Sequence, residues 1–311
     1  MAIVAGVYLS GIGRNNTTVT STVTSVSTPG VLQVVAAENF WGSLASQLGG
    51  SHANVITIVS DPNADPHDYE ATPQDATAVA DAQVIIENGV GYDSWIDKLI
   101  SADNNPNQTV LNVGNLLGAT QSDIGVSAQT KFSNEHFWYN PTFVNMTVRG
   151  MYNDYVKADP ADTSYFTNQY ASLNSSLHAY MAIEENIKAH FAGTKVAATE
   201  TIFLYMANAT GLDVVTPFGF MKAVADGDDP SAQDVATFQT QLNTAGLVKA
   251  VVYNNQTVTQ VTDSMKSLAT QNHIPVTWVT ETMVPVNGNF EAWMTTELTG
   301  LQNALESSAT G

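Results

Sequence analysis

Short runs of β-branched and other apolar residues alternate with stretches of helical periodicity from residue 31 onward. In the first half, the runs predict strands and the stretches between them predict helices, with strands at 31–37, 55–59, 83–87 and 109–113 and helices at 39–48, 73–82 and 94–100. Thr72 before Pro73 is a helix-capping signal, and Gly49-Gly50 is a helix stop. Strands separated by crossover helices indicate a parallel sheet with helices on both faces.

The middle of the chain breaks this alternation. Between Asp162 and Phe191 there is no glycine or proline, and apolar residues recur at steps of three and four. Roughly thirty residues at a rise of 1.5 Å give a helix about 45 Å long, which is more than one small domain needs. We interpret the segment 159–193 as a linking helix, a rigid spine between two lobes.

After Gly193 the alternation of strands and helices resumes. Strands are predicted at 195–199, 213–215, 250–253 and 276–280, and helices at 201–210, 231–245, 257–271 and 290–305. The predicted fold class is therefore α/β. It consists of two Rossmann-like lobes, 31–158 and 194–311, joined by one long rigid helix.

The first thirty residues fit neither lobe. Residues 2–13 are apolar but too short to span a bilayer, and they read as the end of a trimmed signal or membrane anchor. Residues 14–30 are rich in Thr, Ser and Val without a period, which is typical of a flexible stalk and equally of a disordered tail. We expect an extracellular protein that is anchored to the cell surface through its amino terminus.

Composition narrows the function classes. Among the 311 residues, 10 are basic and 29 are acidic, and the net charge is -19. This balance argues against nucleic acid as a binding partner, because a protein needs basic residues to displace the counterions of the phosphates. It also argues against binding to an anionic membrane surface. The chain has no cysteine, so a metal would have to be bound through nitrogen and oxygen. Only 13% of the residues are charged, and the small number of titrating groups favours an extracellular, even acidic, setting.

Four residues that can bind a metal lie at the ends of predicted strands or the starts of predicted helices: His67, His136, Glu200 and Glu281. In α/β proteins, these are the positions where loops converge on a ligand crevice. Each residue alone has an ordinary explanation, as a loop histidine, a histidine in an aromatic core or a helix-capping acid. Together they predict one divalent-metal site, with two ligands from each lobe.

Local sequence indicates how these side chains are held. His67 lies in the loop DPHDYE, whose carboxylates can orient its ring. His136 precedes aromatic residues and Pro141, which can begin a helix, and we expect the positive helix end to keep the imidazole neutral. Glu200 lies where a strand ends and a helix begins, and we expect the helix dipole to stabilise its carboxylate.

Several motifs follow one another in a distinctive order: DPHDYE, NEHFWYNP, TETIFLY, PFGFMKAV, VVYNNQ and IPVTWVTETMVP. With this order, from about residue 32 to 306, the chain resembles the zinc/manganese-binding solute-binding proteins of ABC importers. The resemblance implies two α/β lobes, one rigid linking helix and a transition-metal ion in the cleft between the lobes. It assigns His67, His136 and Glu200 as ligands, with Glu281 at the position that varies most. It also implies a monomer without enzymatic activity that delivers its ion to an ABC transporter permease.

The donor set leaves the metal open among manganese, zinc and ferrous iron. Zinc-specialised proteins of this kind usually have a third histidine where Glu200 stands and often a histidine-rich acidic loop, and the chain has neither. Two imidazoles and two carboxylates admit Mn²⁺ or Fe²⁺, while Zn²⁺ still binds such sites well. We expect binding to weaken as pH falls, and the spine to restrict the lobes to local rearrangement.

Two other function classes use similar ligands. A metallohydrolase needs an open coordination position for water and a general base, for which Glu70 or Glu135 is available. A stalked adhesion protein would use the metal structurally and would unfold when the metal is chelated.

Overall fold

The structure, a computed structural model, describes residues 30–62, 64, 66–67 and 69–310. The predicted anchor remnant at 2–13, all of the predicted stalk except Gly30, and Asp65 and Asp68 lie outside the described residues. Within the described ranges, no helix combines the length and the apolar character that a membrane span requires.

The first lobe contains a parallel sheet with the strand order β2-β1-β3-β4. Its strands are β1 (Leu32–Glu38), β2 (Ala53–Val59), β3 (Val84–Glu87) and β4 (Thr109–Asn112). Each strand is followed by a helix, in order α1 (Asn39–Gly49), α2 (Pro73–Asp81), α3 (Ser94–Asp103) and α4 (Val113–Leu117). Strand β1 pairs with β2 on one side and with β3 on the other. The connections that leave β1 and β3 therefore run toward opposite edges of the sheet, and the switch point lies between these two strands. Ligand crevices form at such points in α/β folds.

The start of α2 agrees with the predicted capping signal. The hydroxyl of Thr72 accepts a hydrogen bond from the backbone N–H of Asp75, and the carboxylate of Asp75 accepts one from the backbone N–H of Thr72. Pro73 occupies the first helical position. This cap fixes the end of the loop that carries His67.

The spine is helix α6 (Thr163–Phe191), which has 29 residues. It follows α5 (Pro141–Ala158), which begins at the predicted proline and is capped by the side chain of Asn140. At 1.5 Å per residue, α6 is about 44 Å long. Its buried face follows steps of three, four and seven residues: Phe166, Leu173, Leu177, Tyr180 and Ile187.

The second lobe repeats the arrangement of the first. Its parallel sheet has the order β6-β5-β7-β8, formed by β5 (Lys195–Ala198), β6 (Asp213–Val214), β7 (Val251–Asn254) and β8 (Val276–Val279). Its helices are α7 (Leu204–Thr210), α8 (Phe218–Ala225), α9 (Ala232–Asn243), α10 (Gln260–Gln271) and α11 (Phe290–Thr310). Here β5 pairs with both β6 and β7. The switch point of this sheet, where a ligand crevice forms, therefore lies between β5 and β7.

Both lobes and the spine share one hydrophobic core. A single cluster of buried side chains extends from Leu32 in β1 to Leu305 in α11. Helix α6 packs against α1 and α5 on the side of the first lobe and against α7 and α11 of the second. A common core of this kind opposes wide separation of the lobes, because separation would expose apolar surface to water.

The predicted elements agree with the structure apart from their ends, two short helices, and α5, of which only the start at Pro141 was predicted. The sequence pattern does not predict α4, which has only five residues, too few to show a helical period. It also does not predict α8, whose sequence FGFMKAVA has a single charged residue and therefore no polar face to mark the period. The helix predicted at 201–210 begins with a 3₁₀ turn, Thr201–Phe203, before α7.

Candidate metal centre

Residues from both lobes line a cleft of about 940 Å³. The lining includes His67, which follows β2, and Glu135, which precedes the 3₁₀ turn Phe137–Tyr139, from the first lobe. From the second lobe it includes Glu200 and Glu281, which follow β5 and β8. The strand-end positions predicted from the sequence therefore do converge on one cleft. This convergence is the one that parallel α/β sheets produce at the carboxyl ends of their strands.

Three of the four predicted ligands form an inner donor set, which consists of His136, Glu200 and Glu281. Nε2 of His136 lies 3.1 Å from Oε2 of Glu281 and 3.9 Å from Oε1 of Glu200. All three residues are buried. One donor atom from each lies within 4.8 Å of the others, so small adjustments would bring all three to the bonding distance of one ion.

The fourth predicted ligand, His67, belongs to an outer donor set with Glu135 and His136. Nε2 of His67 lies 3.8 Å from Oε1 of Glu135, and the side chain of His67 is 35% exposed. Donor atoms of these three residues also lie within 4.8 Å of one another. The structure thus brings His67 close to His136 but groups it with Glu135 rather than with the two buried carboxylates.

The loop that carries His67 is anchored beside the cleft. Pro66 is buried, and its carbonyl oxygen accepts a hydrogen bond of 3.1 Å from Nε1 of Trp95. Because Asp65 and Asp68 lie outside the described residues, orientation of the His67 ring by these carboxylates stays a prediction. Tyr92 contacts the ring of His67 edge-on, with 4.5 Å between the ring centroids.

The imidazole of His136 is oriented by Asn134. Oδ1 of Asn134 accepts the backbone N–H of His136 at 2.9 Å and lies 3.1 Å from Nδ1 of its ring. Nδ2 of Asn134 donates to the carbonyl oxygen of Thr201 at 2.8 Å, which ties this loop to the second lobe next to Glu200. With Nδ1 held by Asn134, Nε2 is the nitrogen that can bind a metal. Nε2 is enclosed, its nearest acceptor is Oε2 of Glu281 at 3.1 Å, and it has no well-aligned hydrogen bond with a described residue.

Asn254 holds the two carboxylates of the inner donor set. Its Nδ2 donates to Oε2 of Glu200 at 2.6 Å and to Oε1 of Glu281 at 2.9 Å. Asn254 is the last residue of β7, which lies between β5 and β8, the strands that precede the two acids. The sequence analysis missed this role, although the position of Asn254 at a predicted strand end was the available signal.

Aromatic rings enclose the inner donor set. The ring of Trp138 contacts that of His136 edge-on, with centroids 5.2 Å apart, and the hydroxyl of Tyr92 donates to Oε2 of Glu281 at 3.4 Å. Both aromatic side chains are buried. By keeping water away, they lower the local dielectric constant and strengthen each charge interaction in the site. Tyr92 is a second residue that the sequence analysis missed.

Burial and mutual charge set the protonation of the inner donor set. Burial, and then the charge of Glu281, raises the pKa of Glu200 to about 8. Burial alone would raise the pKa of Glu281, but the charge and hydrogen bonding of His136, the charge of His67 and a hydrogen bond with Glu200 together outweigh it, and the pKa lies below the ordinary value. Burial alone would lower the pKa of His136, but the charges of Glu281, Glu135 and Glu200 raise it to about 9.

These directions correct two expectations from the sequence. The helix end was expected to keep His136 neutral, and this is wrong because the surrounding carboxylates favour the cation. The helix dipole was expected to stabilise the ionised form of Glu200, and this is wrong because burial beside Glu281 favours the neutral acid. A metal ion that binds these atoms must therefore displace protons.

The remaining histidines lie away from the cleft. His178, His190 and His273 are exposed, while His52 contacts the carboxylate of Asp162 and stacks on a tyrosine ring. In the part of the chain that the structure describes, the groups of three or more histidine and acidic donors are the inner and outer donor sets. The prediction that the other histidines do not cluster is therefore confirmed for these residues.

Comparison with known proteins gives a match over most of the chain. The family described as ZnuA, zinc-uptake complex component A, periplasmic, matches residues 34–304. The manganese-binding lipoprotein MntA of Halalkalibacterium halodurans is 24% identical over 189 residues, which are 59% of this chain and 59% of that protein. The iron-binding protein YfeA of Yersinia pestis is 23% identical over 185 residues, 59% of this chain and 58% of that protein. The matched region spans less than two thirds of the length of these curated relatives.

A solved structure covers more of the chain. The Mn-bound periplasmic metal binding protein from Candidatus Liberibacter asiaticus matches with a TM-score of 0.70 and 16% sequence identity. The match covers 88% of this chain and 98% of that chain. At this level of identity the likeness establishes the fold, with two parallel-sheet lobes joined by a long helix.

Proposed function

The chain belongs to this family of zinc-uptake complex components, and we propose that it captures a divalent transition-metal ion between its lobes and delivers the ion to an ABC importer. The observation that carries the proposal is the inner donor set. His136, Glu200 and Glu281 come from both lobes, are buried, and present donor atoms within 4.8 Å of one another. Two carboxylates buried side by side share one imidazole here, and burying a second acid is costly unless a cation neutralises it, which favours a site built to bind a cation.

The proposed ligands are His67, His136, Glu200 and Glu281. Imidazole nitrogen and carboxylate oxygen together suit Mn²⁺, Fe²⁺ and Zn²⁺, and the names of the relatives include manganese, iron and zinc. His67 is the ligand that must move most, and its exposed position on a loop outside the strands and helices allows this movement. We expect its ring to move with the ion and to complete the coordination that the inner donor set provides.

The proposed division of the chain supports uptake and release. The lobes are 31–158 and 194–311, and the linking segment is 159–193. Because each lobe supplies two of the ligands, a small shift of one lobe against the other changes the coordination of the ion. A permease that binds both lobes can use such a shift to release the ion, while α6 keeps the lobes from separating widely.

We further propose that the protein works outside the cytoplasmic membrane as a monomer tethered through residues 1–30. The family is described as periplasmic, and one relative is named a lipoprotein. The net charge of -19 argues against nucleic acid as a partner. Membrane fractionation of the full chain tests the tether, and light scattering in solution tests the monomer.

The family is one of transport components, and no observation on the molecule favours a hydrolase or an adhesion protein over this function. Four protein ligands around one ion would leave little room for a reacting water, which a hydrolase needs.

Metal titration tests the proposed function. Protein stripped with a chelator is titrated with Mn²⁺, Fe²⁺ and Zn²⁺, and elemental analysis counts the bound ions, with one ion per chain expected. His136→Ala should abolish tight binding because His136 belongs to both donor sets. His178→Ala removes an exposed histidine of α6 and serves as the matched control. Wild-type affinity in His136→Ala would overturn the proposed ligand set.

A further inference from the structure

Among the described residues, Glu135 is a carboxylate that caps no helix and fixes no turn. Its side chain makes no hydrogen bond with any described residue, and its neighbours in the cleft include the imidazoles of His67 and His136. The Glu135 side chain is 15% exposed, which places it between the exposed His67 and the buried inner donor set. A partly buried acid that stabilises no turn, helix or strand suggests a role toward a ligand.

The backbone holds Glu135 in place. Its carbonyl oxygen accepts a hydrogen bond of 3.0 Å from Nδ2 of Asn88 and also accepts the backbone N–H of Phe137 at 2.8 Å. The neighbouring residues Asn134 and His136 are buried and bonded to each other. The Glu135 side chain therefore reaches the cleft from a rigid backbone position, and it contributes to the cleft lining.

His136 is common to both donor sets. Its Nε2 atom is buried, lies 3.1 Å from Oε2 of Glu281 without a well-aligned hydrogen bond, and is a donor atom of both sets. An ion bound by the outer donor set could pass to the inner one without leaving His136 or His67, exchanging Glu135 for Glu200 and Glu281. The inner donor set offers two carboxylates and deeper burial, so the exchange moves the cation toward more negative charge.

We propose that Glu135 is a metal ligand of the outer donor set, and that an incoming divalent transition-metal ion is held there by His67, Glu135 and His136 before the inner donor set binds it. This inference rests on the proposed function of the cleft. It gives His67 and Glu135 a shared task at the solvent-facing side of the site, where ligand exchange with water is fastest. The chemistry is that of two imidazoles and one carboxylate, a set that binds Mn²⁺, Co²⁺ and Zn²⁺.

An equilibrium experiment separates the two donor sets. The double variant Glu200→Gln, Glu281→Gln removes both inner carboxylates and nearly preserves side-chain volume. Co²⁺ is titrated into this variant and followed by visible absorption, because the spectrum reports the ligands of the ion. We expect one Co²⁺ per chain, bound at least about 100-fold more weakly than by the wild type, since direct ligands contribute more than the outer-shell partners whose loss costs 10–100-fold.

Adding Glu135→Gln to the double variant should weaken the residual Co²⁺ binding by at least about tenfold. The matched control is Glu70→Gln, which removes an exposed acid of the His67 loop that belongs to neither donor set. It should leave the residual binding unchanged within about twofold, the range expected for an exposed charge. Circular dichroism and thermal melting establish that all variants remain folded.

The outcomes distinguish this inference from the proposed function. If the double variant binds Co²⁺ as tightly as the wild type, the inner donor set is not the metal site and both proposals fail. If the wild type binds tightly but the double variant binds no Co²⁺, or binds it independently of Glu135, the outer donor set does not exist and the proposed function stands. Residual binding that depends on Glu135 and not on Glu70 supports the inference.

A rate measurement provides the second test, on the otherwise unaltered protein. Stopped-flow mixing of chelator-stripped protein with Co²⁺ should show association slowed by about tenfold in Glu135→Gln and by less than about twofold in Glu70→Gln. Equal slowing in both variants would mean that Glu135 acts only through the overall charge of the cleft, and would overturn its assignment as a ligand.

Discussion

Asn39 and Met283 join the two lobes through a pair of hydrogen bonds. Nδ2 of Asn39 donates to the carbonyl oxygen of Met283 at 3.0 Å, and Oδ1 of Asn39 accepts the backbone N–H of Met283 at 2.8 Å. Both residues are buried. Asn39 is the first residue of α1, and Met283 follows Glu281 by two positions, so this contact links the first lobe to the segment that carries a proposed ligand.

Asn39→Ala should destabilise the protein and weaken metal binding. The substitution leaves the N–H and C=O groups of Met283 buried without partners, which costs about 1–3 kcal/mol in the free energy of unfolding. It also frees the segment that positions Glu281. Urea denaturation measures the first effect, and titration with Mn²⁺ measures the second.

Ser43→Ala is the matched control for this prediction. Oγ of Ser43 accepts the backbone N–H of Phe290 at 3.0 Å, another contact between the lobes but one distant in sequence from the proposed ligands. We expect a smaller loss of stability with unchanged affinity for Mn²⁺. Equal losses of affinity in Ser43→Ala and Asn39→Ala would show that any loosening of the lobes affects the site.

Asn254→Ala should weaken metal binding by about 10–100-fold, the usual effect of removing a partner that orients a metal ligand. The reason is that Nδ2 of Asn254 holds both Glu200 and Glu281. Asn255→Ala, which removes the exposed neighbouring amide, should bind as the wild type does. Calorimetric titration of both variants checks the prediction, and an unaffected Asn254→Ala would contradict it.

Metal binding should release protons and strengthen with rising pH. The pKa of His136 is about 9 and that of Glu200 is about 8, so both groups carry a proton at neutral pH. A bound ion displaces about two protons per chain near pH 7 and fewer as pH approaches 9. Calorimetry in buffers of different ionisation enthalpy counts these protons. Release that does not decrease between about pH 7 and pH 9 would contradict the assigned pKa directions.

Unfolding should require more free energy in mild acid than in mild alkali. Burial raises the pKa of Glu87 to about 8 and that of Glu184 to about 8. Between the unfolded pKa of about 4.3 and the folded value, the folded state holds a proton that the unfolded state has lost. The stabilisation is therefore complete below about pH 4 and is lost as pH rises, by about 1.4 kcal/mol per pH unit for each group.

Urea denaturation at about pH 5.5 and pH 8.5 measures this difference. Glu87→Gln removes one of the titrating groups while keeping an acceptor for Nδ2 of Asn112, which donates to Oε1 of Glu87 at 2.7 Å. The variant should show a smaller loss of stability between the two pH values. An unchanged pH dependence in Glu87→Gln would mean that Glu87 does not carry the proton. The predicted loss of stability with rising pH agrees with the expectation, from the sequence, of a protein that works in acid surroundings.

Removing the metal should leave the protein folded. One hydrophobic cluster joins both lobes and the spine, so the fold does not depend on the ion as a small metal-stabilised domain does. Saturating metal should still raise the melting temperature, because a ligand at about 1,000 times its Kd adds about 4 kcal/mol. Circular dichroism with and without a chelator tests this point, and complete unfolding by the chelator would favour the adhesion alternative.

Much of the fold could be predicted from the sequence. The alternation of apolar runs and helical periods places the two sheets and α6, since the hydrophobic period follows directly from which face of each element is buried. The positions of Glu200 and Glu281 at strand ends follow from the same pattern, because parallel strands bring their carboxyl ends to one edge. The helices α4 and α8 were missed because they lack that periodic signal.

By itself, the sequence determined the α/β class, the two lobes, the long helix and the location of four candidate ligands after predicted strands or before predicted helices. Only the tertiary structure decided that Glu135 accompanies His67, that Asn254 holds both acids, and that His136 and Glu200 have raised pKa values. The physical reason is that these relationships join residues of different loops, and Asn254 and Glu200 are separated by 54 positions although their side chains lie 2.6 Å apart. Periodicity reports which face of an element is buried, whereas the distance and dielectric environment between two side chains depend on how the lobes pack together.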